Sequence, residues 1–341
     1  MNIIYQLLDP EFARAYLAER LLPCYPAYKS LGEIIIRPVK QHIWEHTYHV
    51  VIEYQTELLS RKGQVLNLPI YASTHSNEPR KNVYDGMKFL WRHGFYRGKL
   101  TMPRPLFYSQ QFKAVFYRGI RGRSLYEYIR AGEPVAVAEM IARTAGLFAK
   151  LHCLPVAAAR NFNRKNSRLD TVIPGISHMN QRIKDKYPHL HSPFKKIYNI
   201  FIAAEKAFLT DPRHRWLVHG DAHPGNVIKI DGQKAGLIDF TDLCLADFAR
   251  DLGSFLQQTQ YMMRSNNFSE DFIVEQKDSF IRSYQASAKM KVDDEIQQRI
   301  KIYYYWTVLR TAATFLLKEK ADPAEAEKMI RSVAEEMRVT F

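Results

Sequence analysis

Three side chains that suit a hard metal ion lie close together in WLVHGDAHPGNVIKIDGQKAGLIDF, which runs from Trp216 to Phe240. Asp221 and Asp239 each follow an apolar run, and Asn226 lies between them. The pieces NVIKI and KAGLIDF flank the tight turn DGQ, so we expect a short hairpin that brings Asn226 close to Asp239. Carboxylate and amide oxygens side by side suit Mg²⁺, which takes its other ligands from water and phosphate.

The loop before this hairpin contains a carboxylate that could act as a base. Asp221 precedes Asn226 on that loop and could orient a hydroxyl group and accept its proton. A metal clamp beside a separate base is the arrangement that phosphoryl transfer requires of a protein. His223, in the same loop, is interpreted either as a solvated histidine or as a contact to a substrate.

The composition is that of a globular protein with an excess of positive charge. The chain has 341 residues, of which 46% are hydrophobic and 25% are charged, and its net charge is +14. The charge favours an anionic partner, such as a nucleotide, a phosphorylated metabolite, nucleic acid or an anionic membrane surface, although a soluble basic protein without such a partner fits equally. No apolar run is long enough for a membrane span, and no nucleic-acid-binding signature is visible. Three scattered cysteines, Cys24, Cys153 and Cys244, predict a reducing, cytoplasmic location.

The first third of the chain is dominated by strand patterns. After about 30 residues of helical character, the stretches EIIIRPVKQ, TYHVVIEYQTELL and QVLNLPIYASTHS are rich in β-branched and aromatic residues, and SRKG indicates a hairpin between the last two. RKNVYDGMKFLWRHG has helical spacing and a plausible end at Gly94. PRPLFYSQQ and KAVFYRGI predict two more strands. We therefore expect a mostly antiparallel sheet with one inserted helix.

The remainder is predicted to be mainly helical. SLYEYIRAG and EPVAVAEMIARTAGLFAKLHCL have helical spacing, and Pro134 suits the first turn of the second of these helices. A loop is expected over 155–180, helix over 192–210, and helix again from the hairpin to the end. The aromatic run in QRIKIYYYWTVLRTAATFLLKE predicts core packing rather than base stacking. The domains are thus a β-rich lobe over 1–117 and a helical lobe over 118–341.

The motif HGDAHPGN followed by LIDF resembles the catalytic loop and the metal-binding segment of the aminoglycoside phosphotransferase and choline kinase family. ADFARDLGSF, LFAKLHCL and YRGIRGRSLYEYI are also similar to segments of that family, so the likeness extends from about Val115 onward. The resemblance implies an α+β, two-lobed, protein-kinase-like fold, with a small antiparallel-sheet N-lobe and a larger helical C-lobe.

The resemblance also implies roles for residues of this chain. Asp221 would be the catalytic base, Asn226 and Asp239 would hold Mg²⁺, His219 would support the loop, and Asp251 would accept backbone N–H bonds from it. The implied reaction transfers the γ-phosphate of ATP or GTP to the hydroxyl of a small molecule. The net charge argues weakly against a polycationic acceptor and leaves an anionic one open.

The small lobe departs from the family's pattern. IIIRPVKQHIWEHTYHVV contains no glycine where family members have a glycine-rich turn, and VLNLPIYASTHSNEP contains no lysine to pair with phosphates. The helix that follows also lacks the usual glutamate. Another cation could serve the phosphates, with Lys40 as the first choice and Lys62, Arg80 or Lys81 as alternatives.

The sequence also offers further nucleotide contacts and leaves a second class of function open. Nucleotide-binding residues are expected at Lys40, Phe116, Arg118 and Ile238. Arg118, Arg121 and Arg123 form a basic cluster that either guides an anionic substrate or is simply solvated. If the nucleotide site is lost, the chain would be a non-catalytic, pseudokinase-like binding or regulatory protein on the same scaffold. Retention of the motif's two aspartates and its asparagine favours an enzyme.

Overall fold

The structure is a computed structural model that describes residues 2–78, 80–173, 175–211 and 213–341. The chain forms two compact units. The first unit contains the residues up to Arg123 and the segment Ile228–Thr241, and the second contains Ser124–Val227 and Asp242–Phe341. The predicted domain boundary between residues 117 and 118 stays a prediction.

The first unit begins with helix α1 (Pro10–Leu21), which follows a 3₁₀ turn and is capped by Asp9, whose carboxylate accepts the N–H of Phe12 at 2.8 Å. Helix α2 (Lys81–Leu90) ends in a wider turn that reaches Gly94, which has a φ of +105°. The strands up to residue 118 are β1 (Tyr28–Ile43), β2 (Tyr48–Ser60), β3 (Val65–His75), β4 (Leu100–Thr101), β5 (Arg104–Ser109) and β6 (Ala114–Arg118). The five long strands and the inserted helix are confirmed, whereas β4 is too short to show a pattern in the sequence.

The main sheet has the strand order β1-β2-β3-β6-β5, and all neighbours are antiparallel. Alternate residues of β2, such as Val50, Ile52 and Tyr54, are fully buried and join the core with Leu17 of α1. The core of the first unit therefore lies on the α1 side of the sheet, and the other face of the sheet carries the partly exposed residues of each strand.

Strand β1 lies at one edge of this sheet and is the longest strand that the structure describes. Its pairing with β2 is interrupted by register shifts between Tyr28 and Ser30, between Leu31 and Ile34, and between Pro38 and Lys40.

The predicted hairpin of the motif is confirmed. It belongs to a second sheet of order β4-β10-β9-β7, in which β7 is Arg123–Ser124, β9 is Val227–Asp231 and β10 is Lys234–Leu237. These strands lie in the first unit apart from Ser124 and Val227. The turn passes through Gly232, whose φ of +28° suits a residue without a side chain.

The second unit is mainly helical. Its helices are α3 (Leu125–Arg130), α4 (Pro134–His152), α5 (Ile176–Lys186), α6 (Pro188–Phe208), α7 (Ala249–Arg264), α8 (Glu270–Ala288), α9 (Asp294–Leu317) and α10 (Pro323–Glu336). A capping box between Ser124 and Glu127 starts α3, and Pro134 starts α4 as predicted. No helix among the described residues is sufficiently long and apolar to pass through a lipid bilayer.

Two predictions for this unit are wrong in part. The loop expected over 155–180 ends earlier, because α5 begins at Ile176; its largely polar sequence hid the helix. The chain is also not helical throughout after the hairpin, since strand β11 (Cys244–Ala246) pairs antiparallel with β8 (Trp216–Val218). Strands of three residues are set by their tertiary partners rather than by a local pattern.

The aromatic run of α9 contributes side chains to the core, as predicted. Tyr303 and Trp306 are buried, and the hydroxyl of Tyr303 donates to Oε1 of Glu205 at 3.2 Å. Oε2 of Glu205 accepts the N–H of Leu169 at 2.7 Å. Burial raises the pKa of Glu205 to about 7, although both of these hydrogen bonds act in the opposite direction.

We expect the stability of the protein to fall between about pH 5 and pH 8 because of Glu205. Its pKa is higher in the folded chain than the value of about 4.3 in an unfolded chain, so the folded state binds the extra proton and loses this advantage as the pH rises through that range. Over this window the wild type should lose on the order of 3 kcal/mol of unfolding free energy relative to Glu205→Gln. Urea unfolding of both proteins at the two pH values measures the difference, and parallel curves would contradict it.

Candidate active site

The loop from His219 to Asn226 joins β8 to β9 and is anchored by a buried carboxylate. Asp251, in the first turn of α7, accepts the N–H of His219 at 2.6 Å with Oδ2 and the N–H of Gly220 at 2.9 Å with Oδ1. His219 is fully buried, and its Nδ1 lies 3.4 Å from the amide nitrogen of Asp221. These are the bonds expected of Asp251, while its part in function stays a proposal.

The carboxylate of Asp251 is itself held by two residues that the sequence did not indicate. Nε2 of His152 lies 3.1 Å from Oδ2 of Asp251, and Nδ1 of His152 lies 2.9 Å from the hydroxyl of Tyr284. All three side chains are buried. Burial opposes ionisation of Asp251, but the hydrogen bond to His152 and the charges of His152, His219 and Arg250 outweigh it and hold its pKa below the usual range.

Gly220 lies where no larger residue fits. Its φ is +83°, and a Cβ atom there would come within 2.4 Å of the carbonyl oxygen of Asp242 and 3.0 Å of a guanidinium nitrogen of Arg250. That guanidinium is itself buried, and it donates to the carbonyl of Asn166 at 2.5 Å and to Sγ of Cys244 at 3.2 Å. The loop is thus fixed by close packing as well as by Asp251.

Asp221 presents its carboxylate partly to solvent, with 49% of the side chain exposed. Oδ2 lies 3.5 Å from Nε2 of His223 and accepts a bond from Nδ2 of Asn226 at 3.2 Å. Desolvation alone would raise its pKa, but these two partners and the charge of His219 outweigh that effect and lower it. Asp221 is therefore ionised at neutral pH, as an acceptor of a hydroxyl proton must be.

His223 is held by its own loop as well as by Asp221. Its Nδ1 accepts the N–H of Gly225 at 3.0 Å, which leaves Nε2 facing Asp221. The side chain is also 31% exposed, so both interpretations of His223, as a solvated loop histidine and as a substrate contact, stay open. A contact between His223 and a substrate stays a prediction.

The two residues predicted to hold a metal ion fit magnesium by their donor atoms. Nδ2 of Asn226 donates to the carbonyl oxygen of Asp221 at 2.9 Å, which orients the amide group, and Oδ1 takes no part in this bond. Asp239, in the first unit, has a φ of +59°, and its Oδ1 accepts bonds from the N–H and the hydroxyl of Thr241 at 3.3 Å and 2.7 Å. Across the described ranges, no hydrogen bond reaches Oδ2 of Asp239. Each residue thus offers a hard oxygen.

The described residues hold no complete metal cage made of carboxylate, histidine and cysteine side chains alone. No group of three or more such side chains that could hold an ion occurs among the residues that the structure describes. Magnesium binds through few protein ligands and keeps water and phosphate in its shell, so this finding is compatible with Asn226 and Asp239 as its ligands. That the two residues share one ion stays a prediction.

The side chain of Phe116 is directed away from solvent, so the predicted nucleotide contact, which stays a prediction, is left to its backbone. Phe116 is fully buried in the core of the first unit, where its ring stacks on Phe107 at 4.4 Å between centroids and packs near Tyr16. The alternation of β6 directs it to the α1 side of the sheet, and the sequence could not show which face of this short strand is the core face.

The other predicted nucleotide contacts remain accessible. Lys40 is exposed on β1, and Arg118 and Ile238 are partly exposed. Arg118 lies near Tyr25, where burial raises the pKa of the phenol and the charge of Arg118 lowers it. The roles of Lys40, Arg118 and Ile238 stay predictions.

Asp221 is one of the residues that line a cavity of about 240 Å³ in the second unit. Hydroxyl and amide groups line it, among them those of Ser254, Gln258, Thr307 and Thr311. Its charged groups include Asp242 and Arg310, and Arg310 lies over the ring of Trp306 at 5.2 Å from the centroid. The sequence indicated Asp221 and His223, which also lines the cavity, but it did not indicate the other residues named here, because α7 and α9 bring most of them together only in the folded unit.

Comparison with known families identifies one match that covers most of the chain. The model of the phosphotransferase enzyme family (APH) matches residues 46–292. A search of curated proteins finds no significant match.

Solved structures share the fold at low sequence identity. Plasmodium vivax ethanolamine kinase is 12% identical with a TM-score of 0.56, over 96% of this chain and 89% of that one. An amicoumacin kinase, solved in complex with AMP-PNP, Ca²⁺ and Ami, is 16% identical with a TM-score of 0.56, over 96% of this chain and 95% of that one. A spectinomycin phosphotransferase, solved with ADP and spectinomycin, is 13% identical with a TM-score of 0.53, over 93% of both chains. The predicted protein-kinase-like α+β fold is confirmed.

We expect Gly220→Ala to destabilise the protein more than Gly63→Ala does. Gly63, in the β2–β3 turn, has a similar φ of +76° but no atom within 4 Å of an added Cβ, so its change costs only backbone strain of about 1–2 kcal/mol. At Gly220 the same strain is joined by contact with Asp242 and Arg250, which adds about 1–3 kcal/mol. Urea unfolding of the two variants measures the difference, and equal losses would mean that the loop relaxes around the methyl group.

Proposed function

Because the chain belongs to the phosphotransferase enzyme family, we propose that it is a small-molecule kinase that transfers the γ-phosphate of ATP or GTP to a hydroxyl group with Mg²⁺. The observation that carries this proposal is the carboxylate of Asp221, which is half-exposed at the start of a cavity and lies on a loop anchored by buried hydrogen bonds. A fixed carboxylate beside a cavity is what a phosphoryl-transfer site needs to hold its acceptor in line.

In the proposed reaction, Asp221 accepts a hydrogen bond from the acceptor's hydroxyl and directs the oxygen toward the γ-phosphorus. The hydroxyl proton passes to Asp221 as the new P–O bond forms, and the nucleoside diphosphate leaves. Asn226 and Asp239 would hold magnesium, which when bound neutralises negative charge on the phosphates. The negative charge of Asp221 at neutral pH supports its assignment as the acceptor of the hydroxyl proton.

The acceptor is proposed to be a hydroxylated metabolite rather than a polycationic antibiotic. The cavity of about 240 Å³ is smaller than the roughly 300–1,000 Å³ typical of sites for drug-sized ligands. Ser254, Gln258, Thr307 and Thr311 offer hydrogen bonds to hydroxyl or carbonyl groups of an acceptor. Arg310 lies in the same lining as the carboxylates of Asp221 and Asp242, and its guanidinium offers a partner for an anionic group of the acceptor.

A non-catalytic binding protein on the same fold is the second candidate, and the departures of the small lobe from the family's pattern favour it. The two candidates differ in turnover. A coupled assay that detects ADP release, run with a panel of sugars, amino alcohols and phosphorylated sugars, should give acceptor-dependent turnover if the chain is a kinase. Nucleotide binding with Mg²⁺ but no turnover across the panel would favour the binding protein.

We expect Asp221→Asn to lower kcat at least about 100-fold on any accepted substrate, with little change in the KM for ATP. The amide keeps the shape of the side chain but removes its charge and its ability to accept a proton. Asp231→Asn is the matched control, because Asp231 is an exposed carboxylate in the adjoining hairpin. Steady-state kinetics decides, and an Asp221→Asn enzyme with wild-type turnover would rule Asp221 out as the base.

Removal of the carboxylate at Asp239 should abolish the dependence of nucleotide affinity on Mg²⁺, because one amide oxygen alone is a poor site for a hard cation. Isothermal titration of ATP with and without Mg²⁺ into wild type and Asp239→Ala measures this directly, with Asp231→Ala as the control. The metal assignment is incorrect if Asp239→Ala retains the full effect of Mg²⁺ on ATP affinity.

A further inference from the structure

A group of basic side chains lies on the face of the main sheet that is turned away from the core of the first unit. His42 on β1 pairs with His49 on β2, and His49 pairs with His75 on β3. Val50, the neighbour of His49, is fully buried in the core, so His49 points to the opposite face and its cross-strand partners do the same. Lys40 lies two residues before His42 on the same side of β1.

Arg80 brings a buried cation to this group. Its side chain is only 6% exposed, and its Nη1 lies 3.6 Å from the carboxylate of Glu78. Its Nη2 lies 3.5 Å from Nε2 of His49. Within the described part of the chain, Nε has no hydrogen-bond partner. With one long ion pair to a half-exposed carboxylate, the buried guanidinium is only partly compensated, and a further anion would complete its partners.

The two histidines offer N–H groups rather than charges. Nδ1 of His75 accepts the backbone N–H groups of Asn77 and Glu78 at 3.2 Å and 3.1 Å, so the proton of the neutral ring is on Nε2. Nε2 of His49 faces an N–H of Arg80, so its proton is on Nδ1. Each ring therefore has one remaining donor.

The surroundings keep both rings neutral. Burial lowers the pKa of His49 to about 4, helped by the charges of Lys40, Arg80, His75 and His42. Burial also lowers the pKa of His75, where Glu78 acts in the opposite direction and Arg80 and Lys40 act in the same direction. The group thus combines two permanent cations with two neutral donors, a set that matches the oxygens of a phosphate chain.

The predicted metal ligand Asp239 belongs to the same unit and lies near Tyr117. The phenol of Tyr117 lies within electrostatic reach of both residues: burial raises its pKa, Asp239 raises it further, and Arg80 lowers it. A ligand that meets Arg80 and a metal ion held at Asp239 would therefore span the region around Tyr117, as a chain of phosphates can.

We propose that Arg80, His49, His75 and Lys40 form the phosphate site of the first unit, which holds the β- and γ-phosphates of the nucleoside triphosphate in place of the absent lysine of the third strand. The inference rests on the proposed function, since it concerns the nucleotide of that reaction. A guanidinium can bind two phosphate oxygens at once, which one lysine cannot do with the same geometry.

The other cations considered from the sequence are less suited to this role. Lys62 is exposed in the turn between β2 and β3, and Lys81 pairs with Asp85 on the surface of α2. Lys40, the first choice from the sequence, becomes one member of the site rather than the sole replacement. A turn without glycine cannot bring its backbone N–H groups close to phosphate, and the N–H groups of the two histidines supply donors instead.

Isothermal titration of ATP and AMP with Mg²⁺ into wild type, Arg80→Met and Arg92→Met tests the site. We expect Arg80→Met to bind ATP at least about tenfold more weakly, which is about 1.4 kcal/mol, with AMP affinity changed less than about twofold. Arg92→Met removes an exposed arginine shortly after α2 and should match the wild type. The melting temperature of unliganded Arg80→Met should not fall, because a costly buried charge has been removed.

Four results would overturn the inference. ATP affinity could be unchanged in Arg80→Met, or ATP and AMP affinities could fall together with the melting temperature, which would make Arg80 structural. If Arg80→Met does not fold, His75→Phe decides, and an ATP-to-AMP affinity ratio equal to that of the wild type contradicts the site. A wild type that binds no ATP overturns the proposed function as well, whereas the other results leave that function standing.

Discussion

Two backbone N–H groups of the loop from His219 to Asn226, those of His219 and Gly220, share one acceptor, the fully buried carboxylate of Asp251. Because no solvent can replace that acceptor, the loop is held in one conformation for as long as Asp251 stays ionised and in place. His152 and Tyr284 secure the carboxylate from the other side. The position of Asp221, and therefore any chemistry at the cavity, depends on this buried acceptor.

The two units differ in the charged side chains that surround their candidate sites. In the first unit, Arg80 and Lys40 lie on one face of the main sheet, and the carboxylate of Glu78 lies 3.6 Å from Nη1 of Arg80. In the second unit, the cavity at Asp221 mixes carboxylates with Arg310 and many hydroxyl groups. The net charge of +14 is therefore a poor guide to the charge around the cavity of the second unit.

The sequence predicted what is encoded locally and missed what distant residues create. Alternation identified β2 and β3, and the turn residues identified the hairpin after Asn226. The contact between His152 and Asp251 joins residues 99 positions apart, so neither residue signals the other. Likewise, nothing local distinguishes Arg80 as buried or Lys40 as exposed, and only the folded sheet separates the two candidates.

The edge strand β1 is long enough to act as a template for the association of chains, since an open edge presents backbone N–H and C=O groups to any extended segment. Its own irregularities limit that hazard. Pro38 has no N–H to offer, and the register shifts next to it and nearer the start of the strand bend the edge away from a straight ladder. Arg37 and Lys40 add charge that repels a second copy of the same strand. The protein can thus extend a broad sheet face while offering intermolecular β-pairing only short stretches of backbone.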